Sequence, residues 1–308
     1  MYRAYWAIPR TLRTLRGEQV NAVFGFASML LTILKKEEPT HFLICFDAGE
    51  ETFRHQENAT YKEGRAETPD DFYVQIPRIL SIVEGFGFPH VSNVKYEADD
   101  FLCTYAKAGE GAGMRVTIVT GDRDALQLAT DRVKIAIPHS AYQSTEYLGP
   151  AEIVAKYGIR PDQVPAYKGL VGDSSDNLPG VKGIGPKTAA ELMQKYGTLQ
   201  SIYEHLEDIR PTVRAKLEHD REQAFFCEHM AVLVCDIPLD PPIPTLQLQD
   251  LPADALIALF QELEFTMLTR RLREFLTTPY GKQVFKPSTQ QHPSVGAAVK
   301  AIPQQTLF

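Results

Sequence analysis

Cysteine is scarce in this 308-residue chain: only Cys45, Cys103, Cys227 and Cys235 occur, far apart and with no CxxC pair. That scarcity excludes a small disulfide scaffold and argues against a zinc site; the four read as reduced core residues of a cytosolic protein. Long apolar runs are missing too. The opening MYRAYWAIPR has no apolar centre of the signal-peptide kind, and no stretch would cross a bilayer, so a soluble intracellular protein without membrane contact is expected. A basic excess is also lacking. The net charge of −7 argues against nucleic acid as a partner, unless the acids cluster around bound cations that offset them locally. What remains is 44% hydrophobic and 23% charged residues, enough apolar content for one large or two smaller packed domains.

Up to about residue 150 apolar strands alternate with amphipathic helices. Val20 to Lys36 places Val23, Phe26, Ala27, Leu30, Leu31 and Leu34 at helical spacing, with a stop near Pro39. His41 to Phe46, Val116 to Thr120 and Val133 to Ile137 read as buried strands, and Ala98 to Ala108 as a helix. The alternation implies an α/β domain over 1–150, with a mostly parallel sheet and helices on both faces. Ala48 to Asp71 is a polar excursion longer than a connection needs, of the kind used as a lid or binding element. From Gly149 to about Phe275 the pattern is helical. No Asp or Glu follows Glu274, and the Pro-, Gln-, Ser- and Thr-rich segment 277–308 reads as a disordered tail.

Acidic residues gather in four places. Asp47 ends the strand LICFD; Glu97, Asp99 and Asp100 open a helix in YEADD; Asp122 and Asp124 follow a strand in TGDRD; Asp173 and Asp176 lie in GDSSDN. Singly, each is explained as a helix cap or dipole partner. Several, however, sit at the carboxyl ends of strands, where parallel sheets place their sites. Carboxylates brought to about 4 Å repel by roughly 4 kcal/mol per pair at an effective dielectric near 20. Cations must offset that cost, and an all-oxygen set without His or Cys selects Mg²⁺ or Mn²⁺. Two such ions can activate a water and stabilise the leaving oxygen of a phosphodiester.

LPGVKGIGPKTAAELMQKYG, from Leu178 to Gly197, carries the glycine spacing of a P-loop but has Pro186 where the lysine belongs and no strand before it. It reads better as a hairpin, Gly183-Ile184-Gly185, opening a helix at Pro186, with Lys182 and Lys187 adding charge for a phosphate. A plain core helix-turn-helix is the alternative.

Together these residues resemble the 5′-nuclease domains of bacterial DNA polymerase I, within the flap-endonuclease family. The likeness covers roughly residues 2 to 276, through YRA at Tyr2, FDAGEETFRH at Phe46, YKEGRAETPDDF at Tyr61, YEADD at Tyr96, TGDRD at Thr120 and GDSSDNLPGVKGIGPKTA at Gly172. It implies a PIN-like nuclease fold followed by a helix-hairpin-helix region over 151–276. It also implies a 5′-3′ exonuclease or 5′-flap endonuclease using two Mg²⁺ ions, replaceable by Mn²⁺. Asp47, Glu97 and Asp99 match ligands of the first ion. Asp99, Asp122, Asp124 and Asp176 match the second set, and Asp100 and Asp173 match further acids of the cluster. Arg54, Tyr61, Lys62 and Arg65 match a helical arch at about 48–78 that passes the 5′ single strand, with Arg54 and Lys62 catalytic through the scissile phosphate. Lys182, Gly183, Gly185 and Lys187 match the clamp on duplex phosphates, often with a bound K⁺. The implied setting is a monomer in the bacterial cytoplasm, associated with the nucleoid. It would remove RNA primers at RNA–DNA junctions and repair nicked duplex DNA beside a separate DNA polymerase.

In one respect the chain departs from the family. The strand carrying Asp-Gly that precedes YRA is not in the sequence, so one ligand of the first metal is expected to be missing. A free-standing nuclease with a truncated start is therefore expected, with a non-catalytic binder of branched DNA as the alternative. A related RNA-directed nuclease is disfavoured by the hairpin. Finally, QQTLF at the end is similar to peptides that dock on bacterial sliding clamps, with Gln304, Leu307 and Phe308 as contacts; an incidental terminus is the other reading.

Overall fold

The computed structural model describes residues 1–49, 51–65, 67–139 and 144–286. Two helices come first, α1 (Tyr2–Ala7) and α2 (Asn21–Glu37). The second buries the predicted apolar stripe, including Val23, Phe26, Leu30 and Leu34. It stops at Glu38, whose left-handed backbone (φ 43) returns its N–H to the Leu34 carbonyl, while Lys35 and Lys36 favour the negative end of the helix dipole.

Short strand β1 (Ile44–Cys45) then leads through helices α3 (Phe53–Glu57), α4 (Asp70–Tyr73) and α5 (Ile76–Phe86) to β2 (His90–Val91), its parallel partner. Helix α5 buries Ile76, Ile79, Ile82, Val83 and Phe86 and ends at Gly87 (φ 72). A Cβ there would meet Pro252 Cδ at 2.9 Å, so only glycine closes this turn against its neighbour. Helix α6 (Ala98–Gly111) crosses to β3 (Val116–Val119), which pairs in parallel with β4 (Val133–His139); β5 (Ser144–Leu148) runs antiparallel to β4. The pairing is mostly parallel, as the βαβ pattern requires, but it is divided among separate small sheets. Where the first two sheets approach, Ile33 of α2 packs with Ala136, Met29, Phe42 and Val119.

The rest is helical: α7 (Pro150–Tyr157), α8 (Val164–Val171), α9 (Pro186–Tyr196), α10 (Leu199–Glu204), α11 (Pro211–His219) and α12 (Arg221–Ala231). Their apolar faces join β3, β4 and α6 in one core containing Ile118, Ile135, Leu148, Leu170, Met193, Leu199 and Leu217. Among the described residues no helix is long and apolar enough to cross a membrane.

Three expectations are corrected here. Residues 277–286 are not a disordered tail. Thr278 caps α15 (Pro279–Val284), and β7 (Phe285–Lys286) pairs with β6 (Leu251–Pro252). Tyr280, Val284 and Phe285 are buried, and the Tyr280 hydroxyl donates to the Pro39 carbonyl at 2.7 Å. Three apolar anchors outweigh the polar composition around them. Second, α13 (Ala253–Glu262) and α14 (Thr266–Leu276) do not join the helical region. Through Leu256, Phe260, Leu268, Leu272 and Phe275 they complete the core of α2 and α5. Third, Cys103 and Cys235 form a disulfide, with a Cα separation of 4.9 Å, leaving Cys45 and Cys227 as thiols. The two halves of that bond lie 132 residues apart in sequence, a proximity that spacing alone does not reveal.

Candidate metal centre and nucleic-acid interface

The acids meet because loops after β1 and β3, the start of α6 and the turn after α8 lie side by side. Asp47 follows β1, whose pairing continues with Phe46 N–H on the Val91 carbonyl at 2.9 Å. The Asp47 Oδ1 accepts the Ala98 N–H at 2.7 Å, which ties it to the first turn of α6. At that helix Glu97 is the cap residue, and its own N–H reaches Asp100 Oδ2 at 3.1 Å. Asp99 stands between. Burial first, then the charges of Asp122, Asp47 and Glu97, push its carboxyl up to about 8, with Lys62 pulling the other way. Three carboxyls thus crowd a fourth, a crowding that a bound cation would relieve.

Beyond β3, Thr120 Oγ1 accepts the Asp122 N–H at 3.1 Å and Asp122 Oδ1 accepts the Asp124 N–H at 2.9 Å, fixing TGDRD as a tight turn. Arg3 donates to the Gly121 carbonyl at 2.9 Å and braces that turn from outside. Asp124, Asp173 and Asp176 each offer an oxygen within 4.8 Å of the others. Between them comes Lys168 of α8, which lies against Asp124 and donates to Asp173 Oδ2 at 2.5 Å. Burial opposes the Asp173 charge, but Lys168 and Ser175 outweigh it and hold the carboxyl below its usual range. Burial, together with Asp173, leaves Asp176 raised.

The turn bearing the last two acids exists because of two glycines. Gly172 (φ 75) and Gly180 (φ 63) cross so closely that a Cβ on Gly180 would stand 2.2 Å from the Gly172 nitrogen.

The segment expected as an arch consists of α3, α4 and turns, and it rests on the acids. Lys62 donates to Glu97 Oε1 at 2.6 Å, and Tyr61 reaches Glu97 at 3.3 Å and Asp176 at 3.4 Å. Burial, then Glu97 and Asp176, drive the Tyr61 phenol far above its ordinary value. Arg65 bonds Asp176 Oδ1 at 2.6 Å and the Ser175 carbonyl at 2.8 Å. Backbone stitching adds Lys62 N–H to the Asp176 carbonyl at 3.1 Å, and Asn177 Nδ2 to the Thr60 carbonyl at 2.8 Å.

Arg54 and Asp100 are placed differently from the expectation. Arg54 is 2% exposed and grips Asp100, 0% exposed, through two bonds of 2.9 and 2.8 Å. It also donates to Glu97 Oε2 at 3.4 Å and to the Met230 and Val232 carbonyls at 3.2 and 3.0 Å, and Asp100 Oδ1 accepts the Val234 N–H at 2.9 Å. Burial works against the guanidinium charge, but Asp100 and Glu97 outweigh it and keep its pKa raised. Neither group faces solvent. The pair ties α3 and the start of α6 to the Met230 to Val234 segment.

At the glycine-rich turn the hairpin is as read. Ile184 is buried, Gly185 caps α9, Pro186 opens it, and Lys182 and Lys187 are exposed. No strand precedes Gly180, which excludes the P-loop. The first-turn amides of α9 have no intrahelical acceptor, as an anion site requires. Sequence reading gave no role to Lys168 or Arg3; the lysine five positions before Asp173 was the one signal available for the first. Gln304, Leu307 and Phe308 lie outside the described residues.

Residues 1–158 match the 5′-3′ exonuclease N-terminal resolvase-like domain, and residues 159–254 the 5′-3′ exonuclease C-terminal SAM fold. DNA polymerase I of Bacillus subtilis (strain 168) is 38% identical over 274 residues, 89% of this chain and 31% of that protein. DNA polymerase I of Deinococcus radiodurans is 41% identical over 254 residues, 82% of this chain and 26% of that protein. The chain thus spans under a third of the length of these curated relatives. Among solved structures, the catalytic core of Rad2 in complex with DNA substrate superposes with a TM-score of 0.59 at 16% identity, covering 88% of each chain. The T5 5′-exonuclease with bound divalent zinc gives 0.55 at 19% identity, covering 81% of this chain and 89% of that one. The fold is shared with both, and on the two family matches this chain belongs to the 5′-3′ exonuclease family.

Proposed function

We propose that the chain is a divalent-metal-dependent nuclease that hydrolyses a DNA phosphodiester at the junction of a 5′ flap or near a 5′ end, leaving a 5′-phosphate and a 3′-hydroxyl. The observation that carries this reading is the gathering of carboxylates from four segments, with Lys62 on Glu97 and Arg65 on Asp176. Divalent ions in the T5 5′-exonuclease and DNA substrate on the Rad2 core support it by likeness. The donors are all carboxylate oxygens, which fits Mg²⁺, with Mn²⁺ able to substitute. Asp47, Glu97, Asp99 and Asp122 would hold one ion, and Asp124, Asp173 and Asp176 another. Bound there, the ions supply a water of lowered pKa and neutralise the leaving oxygen.

The chain's own residues do the rest. Lys62 sits on Glu97 and is placed to meet a non-bridging phosphate oxygen as the strand enters. Tyr61 orients Glu97 and Asp176 through its hydroxyl. Arg65 brings a second charge to the same wall, and Lys168 keeps Asp124 and Asp173 together. Lys182, Lys187 and the hairpin amides grip duplex phosphates, a contact that reads backbone and shape with little base specificity. The likeness to part of DNA polymerase I supports a setting in primer removal and DNA repair. Gln304, Leu307 and Phe308 are proposed to dock on a sliding clamp.

A labelled 5′-flap duplex with Mg²⁺ tests the reading. The Asp122→Asn and Asp124→Asn variants should lose cutting by a factor of about 10³ or more yet retain binding measured in Ca²⁺. Cutting that survives in both sinks the assignment.

A further inference from the structure

The resemblance to flap endonucleases implies a monovalent cation held by the hairpin carbonyls, but the hairpin of this chain already has a cation. Lys216, on α11, donates its ammonium to the Gly183 carbonyl at 2.8 Å. Its stem lies flat against the turn: a Cβ on Gly183 would stand 2.8 Å from Nζ, 3.2 Å from Cε and 3.6 Å from Cδ. The same junction grips the turn from its other side, where Asp220 Oδ2 accepts the Lys182 N–H at 2.8 Å. His219 and that N–H hold the Asp220 carboxyl below its usual range. Lysine and carboxylate therefore fix the carbonyl and the amide of adjacent hairpin residues. Positive charge at the Gly183 carbonyl is what a bound K⁺ would supply, and an ion there would have to displace the ammonium.

We propose that the Lys216 ammonium serves as the hairpin's built-in cation, so that this chain grips duplex phosphates without K⁺. The inference rests on the hairpin being the duplex clamp. Fixed by its carbonyl bond, Lys216 holds its charge at Gly183, next in sequence to the exposed Lys182, on the turn that leads into α9.

The test is binding of the full chain to a nicked, labelled duplex in Ca²⁺, with KCl or tetramethylammonium chloride at equal ionic strength. The bulky cation cannot sit among carbonyls. Wild type should bind equally in both salts. Lys216→Met should weaken binding about tenfold in tetramethylammonium and recover part of it in KCl, where the ion reaches the freed carbonyl. As an internal control, Lys182→Ala should weaken binding by the same factor in both salts, with a salt slope reduced by about 1. Three results overturn the proposal: a wild type that needs KCl, a Lys216→Met variant as tight as wild type in tetramethylammonium, or one weakened equally in both salts. Wild type that fails to bind in either salt would refute the clamp reading itself. Lys216 is exposed, and an unchanged melting temperature for Lys216→Met confirms that the variant is folded.

Discussion

Replacing Arg54 with methionine separates a structural role from a catalytic one. The guanidinium makes two bonds to Asp100 and one each to the Met230 and Val232 carbonyls, all within 3.2 Å and all out of solvent. Methionine fills part of the volume but leaves the Asp100 carboxylate buried with the Glu97 and Val234 amides as its remaining partners. Stranding one member of a buried ion pair costs about 3–5 kcal/mol. At roughly 2–4 °C per kcal/mol for a chain of this size class, the melting temperature should fall by on the order of 10 °C. Asp100→Asn should be destabilising for the mirror-image reason. The double variant should cost less than the two singles together, by about 0.5–3 kcal/mol of coupling. Circular dichroism melts of the four proteins give the cycle, and flap cleavage below the melting temperature gives activity per folded molecule. A variant that melts within a degree or two of wild type, yet cuts a thousandfold more slowly, would refute the argument and return Arg54 to the scissile phosphate.

Three further outcomes are expected. Asp71 is held at about 2, because bonds from Tyr5, Arg10 and Gln19 outweigh the burial that opposes its charge. Its folded pKa is depressed, so its contribution to stability is complete above about pH 4 and lost as the pH falls toward 2; melts across that window should show it, and Asp71→Asn should flatten them. Gly180→Ala forces a Cβ at positive φ against the Gly172 backbone, and its urea midpoint should report a loss of about 2 kcal/mol or more. Ending the chain at residue 276 removes buried Tyr280, Val284 and Phe285, at roughly 1.5–3 kcal/mol each, and the melting temperature should fall accordingly.

Local signals made much of this molecule legible. Helix α2, strands β3 and β4, the hairpin before α9 and every acidic turn follow from periodicity, β-branched runs and glycine chemistry within a few residues of each position. What the sequence hid is non-local. Arg54 and Asp100 stand 46 residues apart, and nothing near either tells a buried pair from a phosphate contact and a metal ligand. Lys168 reads as an ordinary helix lysine until the TGDRD turn is folded beside it. The anchors at Tyr280, Val284 and Phe285 are too few to register against a polar segment, and the core they enter begins at Tyr5, far back in the sequence.

That last arrangement sets an order on the making of the protein. The layer of α2 and α5 is covered by α13, α14 and α15, so its apolar surface has no complete partner until the ribosome has passed Phe285. At roughly 5–20 residues per second, the interval after Phe88 emerges lasts about 10–40 s. For that time the nascent chain carries an open hydrophobic face, a natural client for a holding chaperone. The acids of α6 cannot be locked into their final places beside Asp47 until α12 and the Met230 to Val234 segment have arrived. The acidic site is therefore withheld until α12 and the residues after it have been made.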